Sequence, residues 1–115
     1  MKQLKYSLNA LEKLHEIKRD ITVRFGTDVA NAVLKNMIKS FRELQQFAFK
    51  GPSVEGIIGI PCDYRFLYVH QNYAFYRVEE DTVWITDIYN EKEDFMWKLF
   101  GIRMTTQGTE DYWNE

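Results

Sequence analysis

The stretch from Tyr64 to Gly101, YRFLYVHQNYAFYRVEEDTVWITDIYNEKEDFMWKLFG, decides the fold. Tyr64–Val69, Tyr73–Glu79 and Thr82–Tyr89 are rich in aromatic and β-branched residues, which pack well on a pleated surface, and each reads as a strand. The separators His70-Gln71-Asn72 and Glu80-Asp81 are too short for a parallel crossover, so the strands form an antiparallel meander. Side chains alternate faces along a strand. On that rule Phe75, Val83 and Ile85 point to a core while Tyr76, Trp84 and Thr86 point away, leaving an aromatic and polar second face. Met96, Trp97, Leu99 and Phe100 read as a short helix that closes the sheet edge or core, capped by Gly101.

Upstream, Leu4 and Tyr6 alternate with Lys5 and Ser7, so Lys2–Ser7 suits a short strand that joins the later sheet. Ser7 is then an N-cap. The period changes at Leu8: Leu8, Leu11, Leu14, Ile17, Ile21 and Phe25 recur at three and four, the apolar face of an amphipathic helix. Gly26 tolerates the left-handed backbone of a helix end, and Thr27-Asp28 starts a second helix with a capping hydroxyl and a carboxylate near the positive dipole end. Val29 or Ala30, Val33, Met37, Phe41 and Leu44 form its stripe. The expected architecture is α+β: a strand, a two-helix hairpin, an antiparallel three-stranded meander and a short C-terminal helix, with Leu11, Ile17, Val33, Met37, Phe41, Phe75 and Ile85 buried together.

Phe47–Asp63 is a connector broken by Gly51-Pro52, Gly56, Gly59 and Pro61. Its apolar run Ile57-Ile58 and Ile60 is expected to pack back under the hairpin; an added edge strand or a partner-binding patch are the other readings. Length fits one domain over residues 1–102, followed by a polar tail at 103–115 anchored only by Tyr112 and Trp113.

The formal charge of −2 hides an asymmetry: residues 1–50 hold ten Lys/Arg against five Asp/Glu, a balance of +5, whereas residues 51–115 hold five against twelve, or −7. Only the first half could neutralise phosphates; the alternative is an ordinary solvated helical face. A lone cysteine, Cys62, excludes an internal disulfide, and no segment is apolar enough for a signal peptide or a membrane span, so a cytoplasmic location is expected. His15 and His70 belong to no spaced ligand set, and phosphate loops, dinucleotide fingerprints and nucleophile elbows are missing, so neither a metal nor a cofactor is expected.

The spacing Tyr64-Arg65, then Tyr73, then Phe75-Tyr76-Arg77-Val78, followed by Ile88-Tyr89, Lys92, Asp94-Phe95-Met96 and Leu99-Phe100-Gly101, resembles the RelE/ParE family of toxins from type II toxin–antitoxin systems. The resemblance covers roughly residues 2 to 102 and implies the same order of elements. It also implies an inhibitor of bacterial growth that a cognate antitoxin neutralises. RelE-like members cleave messenger RNA on the ribosome, and for that chemistry the resemblance nominates Arg65, Arg77 and Lys92 as catalytic. The match is partial: Leu67 and Ala74 stand where basic residues are common, and Glu91 and Glu93 flank Lys92, where they would oppose charge developing on a phosphate. ParE-like members instead bind DNA gyrase, for which a surface suffices. The second reading is preferred, with the endonuclease and a decayed, non-toxic relative that only binds a partner as the alternatives. Tyr64, Tyr73, Tyr76, Trp84, Phe95 and Trp97 are then the candidate partner-binding residues, meeting an antitoxin helix or strand.

Overall fold

The computed structural model describes residues 1–59 and 61–93. Its elements run β1 (Gln3–Tyr6), α1 (Leu8–Phe25), α2 (Thr27–Glu43), α3 (Val54–Ile58), β2 (Arg65–Val69), β3 (Asn72–Val78) and β4 (Thr82–Asn90). One four-stranded sheet has the order β1-β4-β3-β2. The meander is antiparallel as expected, and β1 joins it parallel to β4, with Leu4 opposite Val83 and Tyr6 opposite Ile85. The helical hairpin covers one sheet face. Residues Asp94–Gly101, on which the expected C-terminal helix and the candidates Phe95 and Trp97 fall, lie outside the described residues, as does the tail.

Local chemistry sets the boundaries. The Ser7 hydroxyl accepts the Ala10 N–H at 3.0 Å, the capping bond that starts α1. Gly26 turns the chain with φ +94°, a value that costs glycine little, and its carbonyl begins α2 by accepting the Ala30 N–H. The expected Thr27 cap is not used: Gly26 is itself the N-cap and no side chain bonds there, while Asp28 does sit in the first turn. The β2–β3 hairpin is tighter than the sequence suggested. His70 and Gln71, with φ +48° and +64°, form the whole loop between paired Val69 and Asn72.

The core lies between hairpin and sheet, where Ala10, Leu14, Met37, Phe41 and Leu44 meet Ala74, Tyr76, Val83, Ile85 and Ile88. Two expectations need correction. On α1 the buried residues are Ala10 and Leu14, while Leu8, Leu11 and Phe25 are exposed, so the stripe is rotated toward the small residue that lets the helix approach the sheet closely. On β3 the faces are exchanged: Tyr76 enters the helix-side core and Phe75 faces the opposite side. The register explains this, since Tyr76 pairs with Ile85 while Phe75 pairs with Asp87, a bulge that leaves Thr86 unmatched. Met37, Phe41 and Ile85 are buried together as expected, with Ile17 and Val33 packed at the edge of the cluster.

The connector meets the sheet at an isolated antiparallel bridge between Ser53 and Arg65. Val54 is buried, but the helical turn α3 leaves Ile57 exposed; the side chain of Ile58 and all of Ile60 lie outside the described residues. Bonds from Phe66 N to Pro52 O and from Val54 N to Tyr64 O tie the connector to the outer edge of β2.

Candidate interaction surface

Cross-strand register collects a second set of side chains on the sheet face opposite the helices. Phe66, Phe75 and Asp87 are mutually opposed, as are Tyr68, Tyr73 and Tyr89, and as are Arg77, Trp84 and Lys5. The first two rows, with Tyr64, form an aromatic cluster: Tyr68 and Tyr73 lie 5.0 Å apart, Phe66 and Tyr73 5.6 Å, Phe75 and Tyr89 6.2 Å, and Tyr64 and Phe75 6.5 Å between ring centroids. Such offset and edge contacts stabilise a sheet beyond area burial.

Acidic groups border the cluster. Burial, reinforced by the Asp87 carboxylate, pushes the Tyr89 phenol up to about 12. The Tyr68 hydroxyl donates to the Glu91 carboxylate, a bond that raises the phenol's pKa. Beyond β4, Glu93 accepts the Asn90 N–H at 2.7 Å and pairs with Lys13 of α1 at 2.8 Å, which fixes the turn against the hairpin. At the other end of the sheet the Lys5 ammonium lies 5.4 Å from the Trp84 ring centroid, and Trp84 Nε1 donates to Glu79 at 3.2 Å.

Among the sequence-predicted partner residues, Tyr64, Tyr73 and Trp84 therefore belong to this face. Tyr76 does not. It is fully buried on the helix side, where its hydroxyl accepts the Gly51 N–H and donates to the Ala48 carbonyl, so its ring cannot meet a partner. Phe66, Tyr68 and Tyr89 also belong to the face; counting outward from the two-residue hairpin at His70-Gln71 gives the phase of Phe66 and Tyr68.

The three candidate catalytic cations do not converge. Arg65 is committed to the connector: it donates to the Gly51 carbonyl at 2.7 Å and its guanidinium lies 4.8 Å from the Phe49 ring centroid. Arg77 is exposed on the opposite face, 3.8 Å from Asp63. Both border a cleft of about 280 Å³ that also includes Ser53, Cys62 and Tyr64. Lys92 is elsewhere. Arg77 pairs with Trp84, whereas Asn72, about 17 Å away at the far end of β3, pairs with Asn90, and Lys92 sits in the turn just beyond that end. No group of three or more His, Cys, Asp or Glu suited to a metal occurs among the described residues, and no helix there is long and apolar enough to cross a membrane.

Ten chains of known structure match this one. One is from the chromosomal ParDE toxin–antitoxin (TA) system of P. aeruginosa: it is similar with a TM-score of 0.66 over 78% of this chain and 96% of that chain, at 24% identity. The fold is ParE-like. No protein-family model and no curated protein matches the sequence. Within the ParE-like fold, the strand, two helices and meander supply the scaffold, and the sheet face opposite the helices carries the aromatic and acidic side chains described above.

Proposed function

We propose that this chain is the toxin component of a type II toxin–antitoxin module, a growth inhibitor that acts by binding its target, DNA gyrase, and that a cognate antitoxin neutralises. The ParE-like fold supports the toxin class. The observation that carries the mechanism is the separation of Lys92 from Arg77, together with the engagement of Arg65 by the Gly51 carbonyl. Phosphodiester cleavage needs a base, an acid and charge stabilisation within hydrogen-bond reach of one scissile group, whereas Arg77 and Lys92 stem from opposite ends of the β3–β4 ladder, with about 17 Å of strand between Arg77 and Asn72. Binding requires only a surface. The sheet face with Tyr64, Tyr73 and Trp84, and the chain that follows with Phe95 and Trp97, is the proposed contact with antitoxin or target.

The alternative, a ribosome-dependent messenger endonuclease, draws its support from the cleft that Arg65 and Arg77 share. A supercoiling assay separates the two. The purified protein should inhibit gyrase, and Arg77→Ala with Lys92→Ala should reduce inhibition only modestly, since few residues of a binding interface contribute more than about 2 kcal/mol. Gyrase unaffected at saturating protein would sink the target assignment.

A further inference from the structure

The outward face of α2 carries Lys35, Lys39 and Arg42 at spacings of four and three residues. A turn of about 3.6 residues puts them in one stripe opposite buried Ala30, Met37 and Phe41. All three cations are exposed. No Asp or Glu occurs between Asp28 and Glu43, and none of the three makes an ion pair among the described residues. Glu43, one turn after Lys39 and within reach of its charge, is bound directly by Lys50 at 2.7 Å and so offsets the stripe only in part. The exposed side of α1 is different: Glu12, Glu16 and Asp20 alternate there with His15 and Arg19. Like charges four apart weaken a helix, so Lys35 and Lys39 carry a local cost.

We propose that this face docks the phosphate backbone of a nucleic-acid duplex without regard to base sequence. From Lys35 to Arg42 the stripe spans about 10 Å, enough to follow about three phosphates of one strand. From Lys35 to Arg42 the stripe itself exposes no large apolar side chain; exposed Val29 lies six residues before it and exposed Phe47 five residues after it. A peptide partner would lack the apolar anchors that dominate protein interfaces, and a single strand would lack stacking platforms. A duplex backbone needs only cations and hydrogen-bond donors, and the exposed amides Asn31 and Asn36 flank the stripe. Over residues 51–93, three Lys/Arg against eight Asp/Glu, a balance of −5, oppose contact on the sheet side and so direct a polyanion to this helix.

The test is fluorescence anisotropy of a short labelled DNA duplex titrated with the full chain between about 50 and 200 mM salt. Log affinity should fall against log salt with a slope of about −2 to −3, as three phosphate contacts require. The Lys35→Glu/Lys39→Glu/Arg42→Glu variant should lose about tenfold or more at the lowest salt and flatten the slope, with an unchanged melting midpoint showing that it folds. A Lys18→Glu/Arg19→Glu variant of α1 should bind as the parent does. An RNA duplex competing as well as DNA would support a backbone contact. Undetectable duplex binding at low salt, no loss in the α2 variant, or equal competition by polyglutamate or a single strand would overturn the proposal. The assay reads binding alone, so its outcome is separate from growth arrest.

Discussion

The Tyr76 hydroxyl accepts the Gly51 N–H and donates to the Ala48 carbonyl, both at 2.9 Å, so one buried phenol on β3 holds the connector that leaves α2. Burial raises the pKa of this phenol above its ordinary value, despite the opposing Gly51 hydrogen bond. Gly51 fits because it has no Cβ: one placed there would lie 2.3 Å from the Phe66 carbonyl oxygen and 2.6 Å from the Tyr76 hydroxyl. Tyr76→Phe should cost about 1–3 kcal/mol, since it leaves a buried N–H unpaired, and Gly51→Ala should cost at least as much. Urea midpoints measure both. A Tyr76→Phe midpoint equal to the parent's would show that the connector is held by other contacts.

The rotated stripe of α1 gives a second test. Phe41 is fully buried and meets Tyr6 edge-on at 6.1 Å, so Phe41→Ala should cost about 3–5 kcal/mol. Leu8 is 71% exposed, and Leu8→Ala should change stability by under about 0.5 kcal/mol. Comparable losses at the two positions would mean that the helix is seated on the face first inferred from the sequence.

Alkaline pH provides a third. Tyr89 titrates near 10.0 when unfolded and at about 12 in the fold, so the native state binds the proton more tightly. Its contribution is fully present below pH 10 and falls as pH rises toward 12. Tyr6 and Tyr76 are shifted in the same direction, chiefly by burial. Denaturation midpoints should therefore decline over that window, and Tyr89→Phe should flatten part of the decline. A flat profile in the parent would contradict the burial of these phenols.

Element type was legible because periods were clean. Three meander strands with polar separators, and apolar recurrence at three and four from Leu8 to Leu44, led to boundaries within a few residues of those observed. The facing of side chains was less legible. Phe75 and Tyr76 are adjacent aromatics, so hydrophobicity could not choose the phase of β3, and the bulge beside Thr86 breaks simple alternation along β4. On α1, leucines attracted the stripe although Ala10 makes the close contact, because a small residue leaves no mark in an apolar pattern. Parallel pairing of β1 with β4 depends on tertiary closure and has no local signal. At the site, Tyr64, Tyr73 and Trp84 were readable as surface aromatics, whereas the placing of Lys92 at the opposite end of the β3–β4 ladder from Arg77 required the register.

Binding without cleavage is tested most directly by induced expression in bacterial cells without antitoxin, with messenger 5′ ends mapped as growth stops. The account predicts arrest with filamentous cells and DNA-damage signalling, no new messenger ends, and arrest that persists in Arg77→Ala/Lys92→Ala. Codon-phased cuts in translated messenger, reduced by about 10²-fold or more in that variant, would contradict it and establish acid–base catalysis.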